Sequence, residues 1–363
     1  MKFAIPLMFV VHVLGAQAPD RYQDMKVVRI APLVSRVDAA KGIVWKQVIE
    51  VPEKDAVAIR VHLSVRKPLP TPDWAIRIRD LAGRHVDTFQ GNSPLLSTRD
   101  VWSSEIADRG AIVELLADIE GIDPAIVVDA YAYRTRAKSS AGPVTLIPIV
   151  KAAYDVQAMA EPIARLRFID EGQQYTCTGF LVHRTLMMTA GSCVRSDAAA
   201  LSMIADFGLD NERAKPRSFR VKKIEVSNPS LDYAVLRLAD APDGFNPATL
   251  SDGRAEIGQR VLVIQHVGGG AKQVSGECKV ANAALQGAGS ALSDFGYDCT
   301  TGAGSSGSPV VDPRSGRVLG LHRLRGINAG EWKQAVHAGQ ILADLKQSVP
   351  RIYEELMAPL PKK

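Results

Sequence analysis

The sequence predicts an all-β protein, with a β-sandwich first and barrel-type strands after it. Short segments with apolar residues at alternate positions recur along the chain, and Gly, Pro, Asn and Asp separate them, which is typical of strands and turns. From about residue 155 the strands become shorter and are punctuated by glycine, as in small β-barrels. A short helix is expected near the C-terminus, around residues 340–346, with a further stretch after Pro350.

Composition and charge are those of an ordinary globular protein. The 363 residues suffice for two domains, 46% of them are apolar and 23% are charged. The Lys and Arg residues behind the net charge of +5 are scattered, which indicates solvated faces and argues against a nucleic-acid or membrane partner. The sequence carries no signal for an oligomeric state.

Residues 1–18 have the outline of a signal peptide. MKFAIPLMFVVHVLGAQA begins with one Lys, continues as an apolar run and ends in small residues, with cleavage expected after Ala16 or Ala18. The alternative is a membrane anchor, which needs about 20 apolar residues; this run is shorter and contains His12. We therefore expect a secreted or periplasmic protein.

Export changes how the cysteines are interpreted. The chain has four, at positions 177, 193, 278 and 299, and an even number in an exported protein favours disulfides. The sequence by itself leaves three pairings open. There is no C-x-x-C motif and no histidine pair at ligand spacing, so we expect no metal site and no cofactor.

The first predicted domain, residues 24–137, is the β-sandwich. In Val57–Val65 every odd position is apolar and the even positions are mostly polar, which predicts a strand with one buried face. Trp74–Ile78 repeats this pattern, and a turn at 80–83 leads into a strand at 85–89. Further strands are expected at 43–50, 101–106, 111–117 and 125–135, which suits a sandwich of about seven or eight strands.

No residue of this predicted sandwich has a catalytic pattern. His62 alternates with Arg60 and Ser64 on the polar side of its strand, which predicts a solvated residue. Trp74 and Trp102 are predicted as core aromatics, with a sugar-binding platform as the alternative.

A linker at 138–157 is predicted to separate the sandwich from a second domain at 158–348, which a tail at 349–363 follows. The linker begins with the small, polar stretch Lys138-Ser-Ser-Ala-Gly-Pro143. Barrel strands are expected at 163–168, 178–182, 186–189, 222–226, 233–238, 260–264 and 317–321.

Three sequence blocks in the second domain carry the functional signal. They are Cys177-Thr-Gly-Phe-Leu-Val with Met188-Thr-Ala-Gly-Ser-Cys, then Ser230-Leu-Asp-Tyr-Ala-Val-Leu, and finally Thr300-Thr-Gly-Ala-Gly-Ser-Ser-Gly-Ser-Pro with Gly320-Leu-His. In this order and spacing they resemble the trypsin-like, chymotrypsin-fold serine proteases, and within them the bacterial secreted glutamyl and lysyl endopeptidases. The resemblance covers about 160–345 and implies a chymotrypsin-like double β-barrel.

The resemblance also implies roles for individual residues. Ser306 matches the nucleophile, and the backbone amides of Gly304 and Ser306 match the oxyanion hole. Asp232 matches the carboxylate that orients the catalytic histidine. Cys177–Cys193 and Cys278–Cys299 are the implied disulfides.

Two further residues match a specificity pattern less closely. Thr301 and His322 fall near the positions at which glutamyl-specific members recognise an acidic side chain. Gly-Leu-His can equally be a strand that recurs throughout this branch.

The sequence departs from the family at the general base. The family motif places histidine directly before the cysteine, whereas this chain has Ser192 before Cys193, and none of its seven histidines stands at that position. The leading hypothesis is therefore an inactive protease homologue that keeps a cleft for a peptide or protein ligand. The alternatives are an endopeptidase that uses Ser306 with a rerouted base such as His322, and a protein whose sandwich is the functional part, as an adhesion or carbohydrate-binding module. The sandwich is also compatible with a pro-domain removed by cleavage in the linker.

Overall fold

Strands are the main regular structure of the chain between residues 22 and 337. The computed structural model describes residues 22–37, 41–98, 101–135, 146–170, 173–287, 289, 291–323 and 332–359. It confirms the predicted all-β class, with a sandwich followed by two closed six-stranded barrels. The predicted signal peptide lies outside the described residues.

The sandwich contains the first eight strands in two sheets. One sheet has the order β1-β8-β3-β6 and the other has the order β2-β7-β4-β5. Both sheets contribute apolar side chains to one core, including Ile59 of β3, Ile76 of β4 and Val113 of β7. The strands are β1 (Tyr22–Val34), β2 (Gly42–Glu50), β3 (Ala56–Val65), β4 (Trp74–Asp80), β5 (His85–Gln90), β6 (Val101–Trp102), β7 (Gly110–Ala117) and β8 (Ile126–Thr135).

Both sandwich tryptophans are core residues, as predicted. Trp74 is 1% exposed and its indole nitrogen donates to the carbonyl of Leu69 over 2.7 Å, while Trp102 is 5% exposed. Neither ring presents an open face of the kind that stacks on a sugar.

Strand β1, which the sequence analysis did not predict, joins the sandwich to the first barrel. It pairs with β8 on one side and with residues 173–176 of the barrel on the other. One sheet of the sandwich therefore continues into the barrel, and the two parts share a ten-stranded sheet.

The polar face of β3 is buried, so the prediction of a single buried face was wrong. Arg60 is completely buried, and its guanidinium donates to the carbonyl of Ser103 at 2.7 Å and to that of Ser202 in the barrel at 2.9 Å. The prediction of a solvated His62 was also wrong, because its Nδ1 lies 2.5 Å from Asp129 Oδ1 and its side chain is only 13% exposed. The first barrel packs on this face, which alternation within one strand does not reveal.

Residues 146–157, part of the predicted linker, have regular structure. They contain β9 (Leu146–Pro148), which pairs with residues 273–275, a 3-10 turn at Ile149–Lys151 and the start of α1 (Tyr154–Met159). Residues 138–145 of that segment lie outside the described residues.

The first barrel closes because its first strand pairs with both its second and its fourth. Its core contains the Cys177–Cys193 disulfide together with apolar residues of every strand. The elements are β10 (Ile163–Asp170), β11 (Gln173–His183), β12 (Leu186–Ala190), α2 (Asp197–Leu201), β13 (Ile204–Phe207), β14 (Arg217–Asn228) and β15 (Tyr233–Leu238).

The second barrel closes in the same way, through pairing of β16 with β18 and β20. Two helices follow it in the predicted C-terminal region, and α3 packs Ile341 and Leu345 against the barrels. The elements are β16 (Arg260–Gln265), β17 (Gln273–Ser275), β18 (Cys278–Leu285), β19 (Asp294–Tyr297), β20 (Pro309–Val311), β21 (Val318–Arg323), β22 (Lys333–His337), α3 (Ala338–Ser348) and α4 (Pro350–Met357). None of the helices in the described ranges is long and apolar enough to cross a membrane.

Candidate active site

Ser192 and Asp232 meet at neighbouring strand ends. Ser192 lies in a 3-10 turn directly after β12, and Asp232 directly precedes β15. The two strands pair with Ala190 opposite Tyr233, which brings the flanking residues together. The amide of Ser192 donates to Asp232 Oδ1 over 2.6 Å, and its hydroxyl lies 3.4 Å from Oδ2.

Asp232 is a buried carboxylate with few donors. It is 8% exposed and adopts a left-handed backbone conformation, with φ of 50°. Burial raises the pKa of Asp232, and the hydrogen bonds from the Ser192 amide and hydroxyl only partly offset this. The charge of Arg323 also lowers the pKa of Asp232, but among the described residues no cation forms an ion pair with this carboxylate.

Ser306 lies in a loop whose shape depends on two glycines. Gly304 has φ of 94°, and a Cβ there would lie 2.7 Å from the carbonyl oxygen of His266. Gly307 has φ of 86°, and a Cβ there would lie 2.2 Å from the carbonyl oxygen of Thr178. Only glycine suits both positions, because each combines a left-handed conformation with contact to another backbone segment.

Thr178 fastens this loop to the first barrel. Its amide donates to the carbonyl of Ser306 at 3.0 Å, and its hydroxyl donates to the carbonyl of Gly304 at 2.9 Å. The Sγ of Cys193, next to Ser192, lies 3.8 Å from the same Ser306 carbonyl oxygen. The backbone of Ser306 thus lies against the turn that holds Ser192, whose side chain contacts Asp232. Sequence analysis did not assign this role to Thr178, although its place directly after Cys177 was a usable signal.

The hydroxyl of Ser306 is buried and has no hydrogen-bond partner among the described residues. Of the three buried imidazoles of the second barrel, that of His337 places its Nε2 3.1 Å from the carbonyl oxygen of Ala283. The other two also bind elsewhere: His266 Nδ1 lies 2.9 Å from the carbonyl oxygen of Gly270, and His322 Nδ1 lies 2.5 Å from the Tyr297 hydroxyl. Their Nε2 atoms likewise have no partner within the described ranges, so neither bonds to Ser306.

Burial also makes these two imidazoles poor proton acceptors. Desolvation lowers the pKa of His266 to about 3, with Lys272 adding to the effect. Desolvation, with a contribution from Lys333, likewise lowers the pKa of His322 to about 3. A general base works best with a pKa near the operating pH, so neither imidazole suits the activation of Ser306.

The peptide between Ala303 and Gly304 has a fixed orientation. Its carbonyl accepts from the Gly268 amide at 2.7 Å. Since N–H and C=O point in opposite directions across a trans peptide, the Gly304 amide points away from Gly268. The assignment of the Gly304 and Ser306 amides to an oxyanion hole stays a prediction.

The two residues of the specificity pattern differ in accessibility. Thr301 is half-buried, whereas His322 is 2% exposed and packs edge-on against Tyr297 in the second barrel. The sequence analysis did not identify Tyr297, which binds the His322 ring. A role in recognising an acidic side chain stays a prediction for both residues.

Both disulfides implied by the resemblance are present. Cys177–Cys193 joins β11 to the turn that holds Ser192, and Cys278–Cys299 joins β18 to the start of the Ser306 loop. Their sequence separations are 16 and 21 residues. Closing loops of this size stabilises a fold by about 3 kcal/mol each in the chain-entropy description.

Comparison with known proteins identifies the class of domain. Residues 177–321 match the family model of the trypsin-like peptidase domain. This part of the chain therefore has a trypsin-like serine protease fold. No curated protein matches the chain.

Solved structures of proteases are similar at low identity. The active form of the Rv3671c protease from M. tuberculosis is 20% identical, with 63% of this chain and 97% of that chain covered and a TM-score of 0.43. The scabies mite inactivated protease paralogue S-I1 is 18% identical, with coverage of 53% and 97% and a TM-score of 0.45. The serine endoprotease from Yersinia pestis is 15% identical, with coverage of 54% and 66% and a TM-score of 0.43.

Proposed function

We propose that this chain is a secreted trypsin-like serine protease homologue without peptidase activity, whose cleft binds a peptide or protein ligand. The observation that carries the proposal is the contact between Ser192 and Asp232 at the position of the general base. The absence of any partner for the Ser306 hydroxyl among the described residues supports it.

The chemistry of the hydroxyl explains the expected inactivity. A serine hydroxyl attacks a peptide carbonyl only when a base removes its proton, and a second serine is no better a proton acceptor. Loss of the histidine from such a triad costs on the order of 10⁶ in turnover. This corresponds to about 8 kcal/mol at the transition state.

The fold does not need the missing imidazole. An ionised carboxylate is costly to bury unless donors satisfy it, and Ser192 supplies an amide and a hydroxyl to Asp232. The loop of Ser306 is held by Thr178 and the two glycines, none of which depends on a histidine. A protein can therefore keep the cleft after losing the reaction.

Two features favour export. Residues 1–18 have the pattern of a signal peptide, and the chain contains two disulfides with no free cysteine in its described part. We propose a secreted or periplasmic location on this basis.

A peptidase assay of the mature chain tests the proposal directly. The wild type and Ser306→Ala should hydrolyse unfolded protein substrates at the same background rate, because the hydroxyl contributes nothing. Activity in the wild type that Ser306→Ala abolishes would contradict the proposal and favour an endopeptidase with a rerouted base. Labelling of Ser306 by an organophosphonate at the rate seen in active serine proteases would do the same.

The variant Ser192→His tests how much peptidase turnover depends on a histidine at position 192. We expect it to gain Ser306-dependent hydrolysis, with Ser192→His/Ser306→Ala as the matched control. Wild-type turnover above about one thousandth of the Ser192→His value is incompatible with a loss on the order of 10⁶.

A further inference from the structure

The sandwich has one long open strand edge, on the sheet that does not join the barrel. β2 pairs with β7 along its whole length and is the terminal strand of the four-stranded sheet. No other described strand pairs with its second edge. Long edge strands with accessible apolar side chains are templates for pairing with another chain.

The backbone groups of alternate β2 residues point toward this open edge. The Val51 amide donates to the carbonyl of Arg109 at 2.9 Å, which makes residues 51 and 109 a hydrogen-bonded pair. Along an antiparallel ladder, bonded and non-bonded pairs alternate. In the register that pairs Glu50 with Gly110 and Val48 with Ile112, the N–H and C=O groups of Lys46, Val48 and Glu50 therefore face outward. The Val48 carbonyl accepts from the exposed Gln47 side-chain amide at 3.0 Å, a contact that pairing with a second strand would replace.

The side chains of the same three residues are exposed. Val48 is 43% exposed, and Lys46 and Glu50 flank it on the solvent face, while Ile49 points into the sandwich core. Within the described ranges, Lys46 has no ion-pair partner. Glu50 lies 3.3 Å from Arg109 with both side chains about half exposed, and a pair of this kind is weak.

We propose that two copies of this chain pair antiparallel through β2, with Val48 on the twofold axis. In this register Val48 lies opposite Val48 of the partner subunit, and Lys46 lies opposite Glu50 of the partner subunit. The two charge pairs that result are both attractive. A twofold axis at Lys46 or at Glu50 would instead place like charges directly opposite each other, which destabilises a strand pair.

The dimer would contain one continuous sheet with four strands from each copy. Its interface lies on the sheet that is not shared with the first barrel, so pairing leaves the contact between Ser192 and Asp232 unchanged. The inference therefore stands independently of the proposed function.

Cysteine trapping in the full mature chain tests the register. Val48→Cys should form an interchain disulfide on oxidation, because the two positions face each other across the axis. Ile43→Cys is the matched control: Ile43 is 52% exposed on the same strand but would face a residue beyond β2 in the partner. Equal cross-linking of both variants, or none at position 48, would overturn the proposed register.

Charge exchange measured by analytical ultracentrifugation tests the pairing itself. The wild type should dimerise reversibly, and Lys46→Glu and Glu50→Lys should each raise the dissociation constant by about tenfold or more, since each places two like-charge pairs in the interface. The double variant should return toward the wild-type value. Arg109→Gln controls for the contact that Glu50 makes within its own chain and should leave the constant nearly unchanged. A wild type that stays monomeric at every concentration, or single variants that dimerise like the wild type, would refute the proposal.

Discussion

Two carboxylates buried in the first barrel, Asp206 and Asp232, have opposite electrostatic environments. Asp206, on β13 at the interface with the sandwich, accepts from Arg165 at 3.0 Å, from Arg167 at 2.6 Å and from Ser218 at 2.6 Å. Asp232, at the candidate site, accepts only from Ser192 among the described residues. Burial therefore has a different net effect on the pKa of each carboxyl.

The pKa shifts follow from these partners. Burial raises the pKa of both carboxyls, but at Asp206 the guanidiniums of Arg167 and Arg165 outweigh burial and hold the pKa well below its usual range. At Asp232 burial outweighs both the Ser192 donors and the charge of Arg323, and the pKa stays raised. The ionised form of a buried carboxylate is thus stabilised at Asp206, where guanidiniums pair with it, and disfavoured at Asp232, where they do not.

Ion pairs between the sandwich and the first barrel bear on the alternative that the sandwich is a removable pro-domain. Glu105 of the sandwich forms ion pairs with Arg134 and with Arg167 of the barrel, and these and neighbouring arginines lower its pKa to about 2 despite burial. A pro-domain removed by cleavage near 138–145 would have to break these contacts and the β1–β11 pairing. Release of the sandwich after such a cleavage would therefore cost the free energy of these contacts.

The largest expected difference in stability comes from substituting asparagine for each of the two carboxylates. Asp206→Asn should lower the free energy of unfolding by about 3–5 kcal/mol, because it leaves two buried guanidiniums without their charge partner. Asp232→Asn should change it by less than about 1 kcal/mol, since the amide can accept from the Ser192 N–H and donate to its hydroxyl. Urea unfolding of both variants at pH 7 provides the measurement, and losses of equal size would contradict the comparison.

The pH dependence of stability should separate the two sites by sign. The folded-state pKa of Asp206 is lowered, so its contribution is present above the unfolded pKa of about 3.9 and is lost as the pH falls through the folded pKa. The folded-state pKa of Asp232 is raised, so the contribution of Asp232 to stability is present below the unfolded pKa of about 3.9. This contribution is lost as the pH rises through the folded-state pKa.

Unfolding curves of the two asparagine variants across pH test this difference. Between pH 4 and pH 7, Asp232→Asn should gain stability relative to the wild type as the pH rises, while the deficit of Asp206→Asn should stay constant. The deficit of Asp206→Asn should shrink only below pH 4. Parallel changes in the two variants would show that the environments are not opposite.

The smallest expected effect concerns Ser192, the serine that contacts Asp232. Ser192→Ala removes one hydroxyl from the buried Asp232 and should cost about 1 kcal/mol at neutral pH. Ser315→Ala removes a comparable contact, from the Ser315 hydroxyl to Asp312 at 2.8 Å, but on the surface, and should cost a few tenths of that. Thermal unfolding of the pair distinguishes them, and an equal or larger effect at Ser315 would mean that Ser192 does not satisfy Asp232.

Prediction from the sequence succeeded for elements that have a clear local pattern, such as alternation of apolar and polar residues or a proline at a boundary. Alternation in β3 and β4 located both strands, and Pro350 separated α3 from α4 as expected. β1 was missed because Val27 and Val28 are adjacent and interrupt the alternation. Short strands such as β13, β19 and β20 were missed because three or four residues carry too little periodicity.

For the candidate site, too, some features could be predicted from the sequence and others could not. The sequence alone gives the residue types at positions 192, 232 and 306, and it shows that no histidine precedes Cys193. Whether another imidazole reaches Ser306 depends on where the second barrel places His266 and His322, which local sequence does not specify. Burial lowers the pKa of both imidazoles, and their Nδ1 atoms contact the Gly270 carbonyl and the Tyr297 hydroxyl.

The sequence alone determined the all-β class, the second-domain motifs and the identity of the residue at the base position, because these depend on local periodicity and on residue type. Only the tertiary structure decided that the polar face of β3 is buried, that β1 joins the two parts, and that Asp232 has only Ser192 as its described donor. Burial and pairing between distant segments depend on which surfaces meet in three dimensions, and a single strand's pattern records only its own two faces.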